Sequence, residues 1–500
     1  MRTLPGKLNR IERVILAGIA GAVLASCTVG PDFRRPDAPS ATRYTETSVP
    51  QETVSSPGMA GEAQHLVSGA DIPAQWWALY RSEPLERLIR EAIADSPNLA
   101  AAQATLRQAK ENLIADTGAL LYPRVDANLS ATREKLSAAE LFGGTGGQTN
   151  IFNLYNASVN VSYLLDIFGG SRRELEGMQA LVDYQNYQLE GSYLALTSNI
   201  VTTAVREAQL RAQISATRDI IAAEEKQLDL TQRQYQLGAV ARLGVLALKT
   251  ELEQTRATLP PLERELASTR HQLAVLAGRL PSEAALPVFE LETFTLPQEL
   301  PVTLPSELVR QRPDIRASEA LLHQASAEIG VATANLYPKI TLSGDFGTST
   351  NQFRNIFAGP SVWSIGAALL QPLFHGGELE AKRRASIAAF DAANAQYRQT
   401  VLQAFQNVAD ALRALETDAR ALSAQAEAEL AARQTLDLTQ RQFQLGGASY
   451  VALLIAQRQY QQAKLALALA QATRFADTAA LFQALGGGWW NREATASVAK

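Results

Sequence analysis

The sequence predicts a mainly α-helical protein with a small β part, in which one architecture is built twice. Two very long stretches, residues 171–236 and 378–444, contain no proline and only Gly177 and Gly191 as glycines. Shorter segments alternate apolar and polar residues, as strands do when their two faces meet different surroundings. The same sequence landmarks also recur in both halves. Together these observations predict long coiled-coil helical hairpins, two β-hairpins and an internal two-fold repeat.

The repeat is the clearest of the three observations. Residues 228–238 and 436–446 are identical except that Phe443 replaces Tyr235. A Leu-Tyr-Pro junction and a glycine pair also recur in the same order, at a spacing of roughly 210 residues, far beyond the period of a solenoid. Each copy therefore makes up about half of the chain, and the two halves should share a fold. We expect such a chain to build a symmetric assembly instead of one asymmetric catalytic cleft.

The first residues read as a targeting segment. Basic residues precede an apolar run over 14–25 that is too short to span a bilayer comfortably. The run ends in Leu-Ala-Ser-Cys, which matches the lipobox of bacterial lipoproteins. We therefore expect residues 1–26 to be a signal peptide and Cys27, the only cysteine, to carry the lipid, palmitate included. Since Thr28 is not the aspartate associated with inner-membrane retention, the outer membrane is the expected destination.

Residues 27–83 are expected to form a lipidated linker and an equatorial segment, extended and weakly ordered as far as residue 75. Two repeats follow, over 84–300 and 301–490, and a tail over 491–500. In the first repeat we expect helices before Pro123 and then a hairpin at about 124–166, a long helix at about 171–236 and a return helix at about 245–278. The second repeat has its hairpin at about 339–371, its long helix at about 378–444 and its return helix at about 449–485.

The hairpins have the length and alternation of strands that cross a bilayer with lipid on one side and water on the other. In the first hairpin, Val125 and Leu129 alternate with Asp126 and Asn128. A half-buried hairpin in a soluble sandwich has a similar pattern. The helices would be roughly 100 Å long, which no ordinary globular core requires. Leucines every seven residues along the first return helix indicate left-handed packing against a neighbour.

Composition argues against several function classes. The net charge is −4 and there is no long basic run, so nucleic-acid binding is not expected. Four histidines are scattered without metal-ligand spacing, and no nucleophilic triad is recognisable. We therefore expect no catalytic residue, no metal site and no cofactor.

Taken in order, these features resemble an outer membrane factor, the TolC-like channel-tunnel family. The similarity is greatest to the lipoprotein branch of resistance-nodulation-division efflux systems, which is NodT- and OprM-like. It rests on Cys27 with the following Val-Gly-Pro-Asp-Phe, on Trp76-Trp77, and on the recurring Leu-Tyr-Pro junctions and Leu-Gly turns. The resemblance implies a homotrimer in which each subunit adds four strands to a twelve-stranded outer-membrane β-barrel and its helices to a periplasmic α-barrel. The implied partners are outer-membrane lipid, a periplasmic adaptor and an inner-membrane transporter.

The resemblance also assigns functional residues by position. Adaptor contacts fall on the turns that end the long helices, at Gly238, Arg242, Leu243, Gly446, Ser449, Leu453 and Leu454. Candidate gate residues are Tyr235 and Phe443, with Asp229, Asp437, Arg233 and Arg441 as possible inter-helix ion pairs. Relatives often carry an acid where this chain has Gly244 and Ala452. We therefore expect aromatic packing, more than salt bridges, to hold the gate.

The expected function is a passive duct that exports small molecules and opens when an adaptor docks at the tips. One alternative is a type I protein-secretion channel of the same fold. A second is a structural coiled-coil lipoprotein without a pore, which the alternating hairpins disfavour. The sequence does not indicate the substrate or which adaptor and transporter serve it.

Overall fold

The computed structural model describes residues 28–137 and 149–492. The predicted signal peptide, the lipidation site Cys27 and nearly all of the predicted tail lie outside the described residues. The helices are α1 (Glu83–Asp95), α2 (Pro97–Leu121), α3 (Gly170–Gln236), α4 (Arg242–Leu276), α5 (Pro305–Gln311), α6 (Pro313–Ala334), α7 (Glu378–Gln444) and α8 (Tyr450–Ala484). The strands are β1 (His65–Ser68), β2 (Arg124–Ser137), β3 (Thr149–Leu165), β4 (Glu299–Val302), β5 (Lys339–Thr350) and β6 (Ser361–Leu370).

The predicted mainly helical fold with an internal repeat is confirmed. The long helices α3 and α7 each contain 67 residues, and the return helices α4 and α8 each contain 35. Prolines are absent from α3 and α7, so no backbone donor is missing from their helical hydrogen bonds. None of the described helices contains a stretch both long and apolar enough to cross a membrane.

The chain divides into two compact units. The first combines residues 106–185 and 318–397 with the described N-terminal residues up to Arg35. It contains a four-stranded antiparallel sheet in the order β2-β3-β5-β6 and the adjoining parts of α2, α3, α6 and α7. Both repeats contribute one hairpin to this sheet, and the pairing of β3 with β5 joins them.

The second unit combines residues 36–105, 186–317 and the chain from Arg398 onward. Its core includes Trp76, which is fully buried and stacks on Phe482 with ring centroids 5.2 Å apart. Strands β1 and β4 form a short parallel pair in this unit.

The expectation of a weakly ordered leader is wrong for the part that belongs to the second unit. The fully buried Arg474 donates to Gln64 Oε1 at 2.8 Å and to the Glu62 carbonyl at 3.2 Å. Gln64 in turn donates to the Pro297 carbonyl and to Thr478 Oγ1, both at 2.9 Å. A buried guanidinium needs such acceptors, so these leader residues are part of the core.

An acidic pair beside this arginine makes the stability of the unit dependent on pH. Burial raises the pKa of Asp477 to about 8, and the Asp418 carboxyl adds to the rise while Arg474 opposes it. A raised pKa in the folded state stabilises the protein fully at pH values below the unfolded pKa. That contribution is lost as the pH rises through the folded value.

We therefore expect Asp477 to lower the melting temperature of the wild-type protein as pH rises from about 4 to about 8, because over that range the unfolded chain has lost this proton and the folded protein retains it. The Asp477→Asn variant should show a smaller decrease over this range. The matched control is Asp410→Asn, the same change at an exposed residue of α7, the helix of Asp418, and it should behave as wild type. Equal pH dependence in wild type and Asp477→Asn, followed by circular dichroism, would contradict this account.

Candidate functional site: the two-faced sheet and the helix tips

The four-stranded sheet has one apolar and one polar face. The register places Ala127, Val159, Phe346 and Trp363 side by side across all four strands. The adjacent row consists of Asp126, Asn160, Asp345 and Ser364. Because neighbouring residues of a strand point to opposite faces, these rows belong to opposite sides of the sheet.

The apolar face is exposed instead of covered by a core. Phe346 is 62% exposed, Trp363 is 71% exposed and Ile365 is 83% exposed. The whole of β6, which is one edge of the sheet, is exposed. An apolar face of this kind marks contact with an apolar environment, such as lipid or another chain.

Each long helix ends in a Schellman turn built on a glycine. Gly238 and Gly446 both have φ of +76°, a left-handed conformation that glycine adopts without strain. In the first turn, the amide of Ala239 donates to the Gln234 carbonyl at 2.9 Å. The second repeats this bond from Gly447 to Gln442 at 2.8 Å. The two tips thus share one backbone geometry.

The tips present leucine side chains at the surface. Leu237 is 84% exposed, Leu445 is 88% exposed and Leu243 is 77% exposed; Arg242 is also exposed. Leu453, predicted to contact an adaptor, is instead fully buried. It lies on the inner face of α8, so that prediction is wrong for this residue.

Two further predicted contact residues, Leu454 and Ser449, lie at the start of α8. Leu454 is half-buried. Ser449 caps α8, since its hydroxyl accepts a hydrogen bond from the Ala452 amide at 3.2 Å. The same position of the first copy is Ala241, which has no side-chain cap. The two tips therefore differ in the stability of the helix that leaves them.

The predicted inter-helix ion pairs do not form among the described residues of one subunit, and pairs between subunits stay a prediction. Asp229 and Arg233 form an ion pair at 2.8 Å, but both lie on α3 one turn apart and both are exposed. Residues four apart on a helix are neighbours on its surface, so the local pair forms first. Asp437 and Arg441 form no ion pair within the described residues.

The two predicted gate aromatics have different surroundings. The Phe443 ring packs against Tyr450 across the second tip, with centroids 6.1 Å apart and planes at 60°. Tyr235 is 44% exposed and has no ring–ring contact among the described residues. Since Arg242 occupies the first-copy position that corresponds to Tyr450, only the second tip has an aromatic pair.

Comparison with known proteins agrees with this geometry. The profile of the family described as outer membrane efflux protein matches residues 88–279 and 304–487, one segment in each repeat. The chain belongs to the outer membrane efflux protein family. Its function is therefore that of an efflux channel of the bacterial outer membrane.

Individual members of the family match over almost their full length. The pyoverdine export outer membrane protein OpmQ of Pseudomonas aeruginosa is 30% identical over 86% of this chain and 92% of its own. The toluene efflux pump outer membrane protein TtgC of Pseudomonas putida is 28% identical over 97% of this chain and 98% of its own. The structure of the outer-membrane channel OprN superposes with a TM-score of 0.84 at 27% identity, covering 93% of this chain and all of that one.

The Val-Gly-Pro-Asp-Phe stretch of this outer membrane efflux protein forms a strap, residues 28–35, within the first unit. The side chain of Arg173, only 6% exposed, binds Asp32 Oδ1 at 2.6 Å and the Val29 carbonyl at 3.3 Å. Phe33 stacks on His323 with centroids 4.3 Å apart. Sequence reasoning recognised the stretch as a family mark but gave no structural role for it.

A close approach between Gly30 and Gly330 explains why this stretch contains a glycine. Gly30 has φ of +92°, and a Cβ on it would come within 2.5 Å of the Gly330 Cα. The strap can therefore lie against α6 only because Gly30 lacks a side chain, whereas a Cβ on Gly330 would meet the Arg173 side chain at 2.6 Å.

The described residues contain no group of three or more histidine, cysteine, aspartate or glutamate side chains that could hold a metal ion. The sequence prediction of a chain without a metal site or cofactor stays a prediction.

The difference in capping makes a testable pair of variants. Ser449→Ala removes the cap and should lower the free energy of opening of the first turn of α8 by about 1 kcal/mol. The reciprocal Ala241→Ser should raise that of α4 by a similar amount. Amide hydrogen exchange at Ala452 and Gly244 measures both. Unchanged exchange at Ala452 in the Ser449→Ala variant would show that the cap does not stabilise the tip.

Proposed function

We propose that this protein is a passive trimeric duct, and the two-faced sheet carries the proposal. Four strands are too few to close a barrel, for which single chains need at least eight. Three copies supply twelve, with the row that contains Phe346 and Trp363 facing lipid and the row that contains Asp126 and Asp345 facing the lumen. In the same trimer, α3, α4, α7 and α8 of each copy form a periplasmic α-barrel. The lipid on Cys27 anchors each copy in the outer membrane.

The duct exports small molecules that an inner-membrane transporter supplies. The relatives OpmQ and TtgC are named for export of pyoverdine and for efflux of toluene, a siderophore and a hydrocarbon. So wide a chemical range favours a broad polar lumen that does not select its cargo. Selection then lies upstream, in a transporter of the resistance-nodulation-division type. The channel binds no cofactor and catalyses no reaction, since the transporter provides the energy.

A periplasmic adaptor docks on the glycine tips. Support comes from Leu237, Leu243 and Leu445, which are apolar side chains held in solvent by turns of fixed backbone geometry. Exposed leucines of this kind are unfavourable unless a partner covers them. Gly238, Gly446 and the exposed Arg242 complete the contact surface, whereas Leu453 is excluded because it is buried.

Docking opens the duct by separating helices at the tips. Phe443 and Tyr450 hold the second tip together by ring packing within the subunit. At the first tip, Tyr235 is exposed in the subunit and packs against a neighbouring copy in the closed trimer. The resting state therefore depends on aromatic contacts more than on Asp229–Arg233, whose exposed ion pair contributes little.

The docking proposal predicts that Leu445→Asn weakens adaptor binding about tenfold, because an interface leucine contributes about 1.5 kcal/mol of burial. In a strain that lacks the gene, the variant should restore efflux of a fluorescent substrate only partly. Fluorescence anisotropy with the purified adaptor measures the binding directly.

The matched control is Leu438→Asn, which makes the same change at a side chain of α7 that is 59% exposed and lies away from the turn. It should bind the adaptor and restore efflux as wild type does. Equal binding by all three proteins would refute docking at the tips. Failure of wild type itself to lower accumulation of any dye or metal ion tested would refute the efflux role and favour protein secretion.

A further inference from the structure

A buried carboxyl lies close to the tip of the first long helix and has no role in the function proposed above. Glu224 on α3 is only 2% exposed, twelve residues before the end of that helix at Gln236. Thr255 on α4 donates its hydroxyl to Glu224 Oε1 at 3.2 Å. A carboxyl buried to this degree is costly as an anion, so its surroundings decide whether it holds a proton.

Two residues whose buried acceptor oxygens lack a donor within the described chain line one small cavity. Glu224 and Gln457 both line a cavity of about 110 Å³. Neither Glu224 Oε2 nor Gln457 Oε1 receives a hydrogen bond from any of the described residues, although both atoms are buried. Buried acceptors require donors. A proton on Glu224 converts one of the two acceptors into a donor, which a carboxylate cannot be.

The cations near the cavity are already engaged. Arg458 on α8 binds Glu251 of α4 through two hydrogen bonds, at 2.7 Å and 3.3 Å. Lys464 binds Asp219 at 3.0 Å. An ionised Glu224 would therefore lie beside the Glu251 carboxylate without a cation of its own in the described part of the chain. Burial, to which Glu251 adds, raises the pKa of Glu224 to about 7, although the Thr255 hydrogen bond opposes the rise.

Residues of α3, α7 and α8 line the cavity with Glu224, and Glu251 and Thr255 of α4 lie close to it. The helix α3 itself contributes Asp219 and Gln227, and α7 contributes only Leu436 and the uncharged Gln440. The remaining polar groups are Glu251 and Thr255 on α4 and Tyr450, Gln457, Arg458, Tyr460 and Lys464 on α8.

We propose that the proton on Glu224 is a latch that holds α3 against α4 and α8, and that its loss as pH rises loosens the first tip. This inference rests on the proposed channel, whose periplasmic end these helices form. Because the group binds its proton more tightly in the closed packing than in a solvated state, closure is favoured below the unfolded pKa. That preference is lost as pH rises through the folded value.

The latch exists in only one of the two repeats. The second-copy position that corresponds to Glu224 is Ala432, and that of Glu251 is Gln459. The carboxyl therefore belongs to α3, and its counterpart α7 has no equivalent group. With one latch in each subunit, the first tip becomes the pH-dependent half of the gate.

The test combines a direct measurement of the proton with a measurement of the gate, on the full-length protein. The infrared difference between wild type and Glu224→Gln, in which the Asp477 band cancels, should contain the carbonyl band of a protonated carboxyl at about pH 5 and lose it by about pH 9. Channel open probability in planar bilayers should rise by up to about a hundredfold between about pH 5 and about pH 7 and then level off, since each pH unit between the solvated and the closed pKa changes the equilibrium tenfold. The Glu224→Gln channel should stay at its low-pH level throughout.

Glu427→Gln is the control, because it makes the same change at an exposed carboxyl of α7 that forms no ion pair within the described residues. It should titrate and gate as wild type. Absence of the infrared band, or a titrating band without any change in open probability, would overturn the latch. A response to the type of cation at constant pH would overturn it in favour of an ion in the cavity. A wild-type protein that never conducts at any pH would instead refute the proposed channel.

Discussion

The rest of the structure depends on one constraint, which is that the four-stranded sheet cannot be complete within one chain. Strands β2 and β6 are edges of the sheet, and every residue of β6 is exposed. Unpaired backbone groups are not tolerated in lipid, since water is absent there to satisfy them. A sheet with an apolar outer face must therefore pair its edges with other copies. In the proposed trimer, the symmetry that closes the sheet would extend to the helices that adjoin it.

The internal repeat makes the two halves of each chain similar to one another. The halves differ in a few side chains that are buried or that contact close neighbours. The long helices and return helices have the same lengths in both copies, and both tips use the same glycine turn. The differences are the buried acid Glu224, the cap at Ser449 and the Phe443–Tyr450 pair, each present in one copy alone. A shared backbone with different side chains at the tips allows the two tips to differ in stability.

Much of this architecture could be predicted from local patterns. Long stretches without proline and segments with two-residue alternation are properties of neighbouring residues, so the helices and hairpins are visible in the sequence. Contacts between distant segments are not. The order of the leader depends on Arg474 meeting Gln64, 410 positions away, and nothing near Gln64 indicates this partner.

The same reasoning explains the errors at the tips. Leu453 and Leu454 are adjacent leucines after a turn, and only the packing of α8 decides that the first is buried and the second half-buried. The prediction for Asp229 overlooked the nearer partner one turn away on the same helix. Glu224 stands in a helix rich in acids, where the sequence alone does not distinguish a buried carboxyl from solvated ones.

The most direct test of this account is the mass of the assembled protein, measured by native mass spectrometry after extraction from outer membranes in a mild detergent. If three open sheets must close together, the spectrum should show a single species of three chains and no stable monomer. A monodisperse single chain that keeps its strand content, or an assembly of any number of chains other than three, would contradict the account.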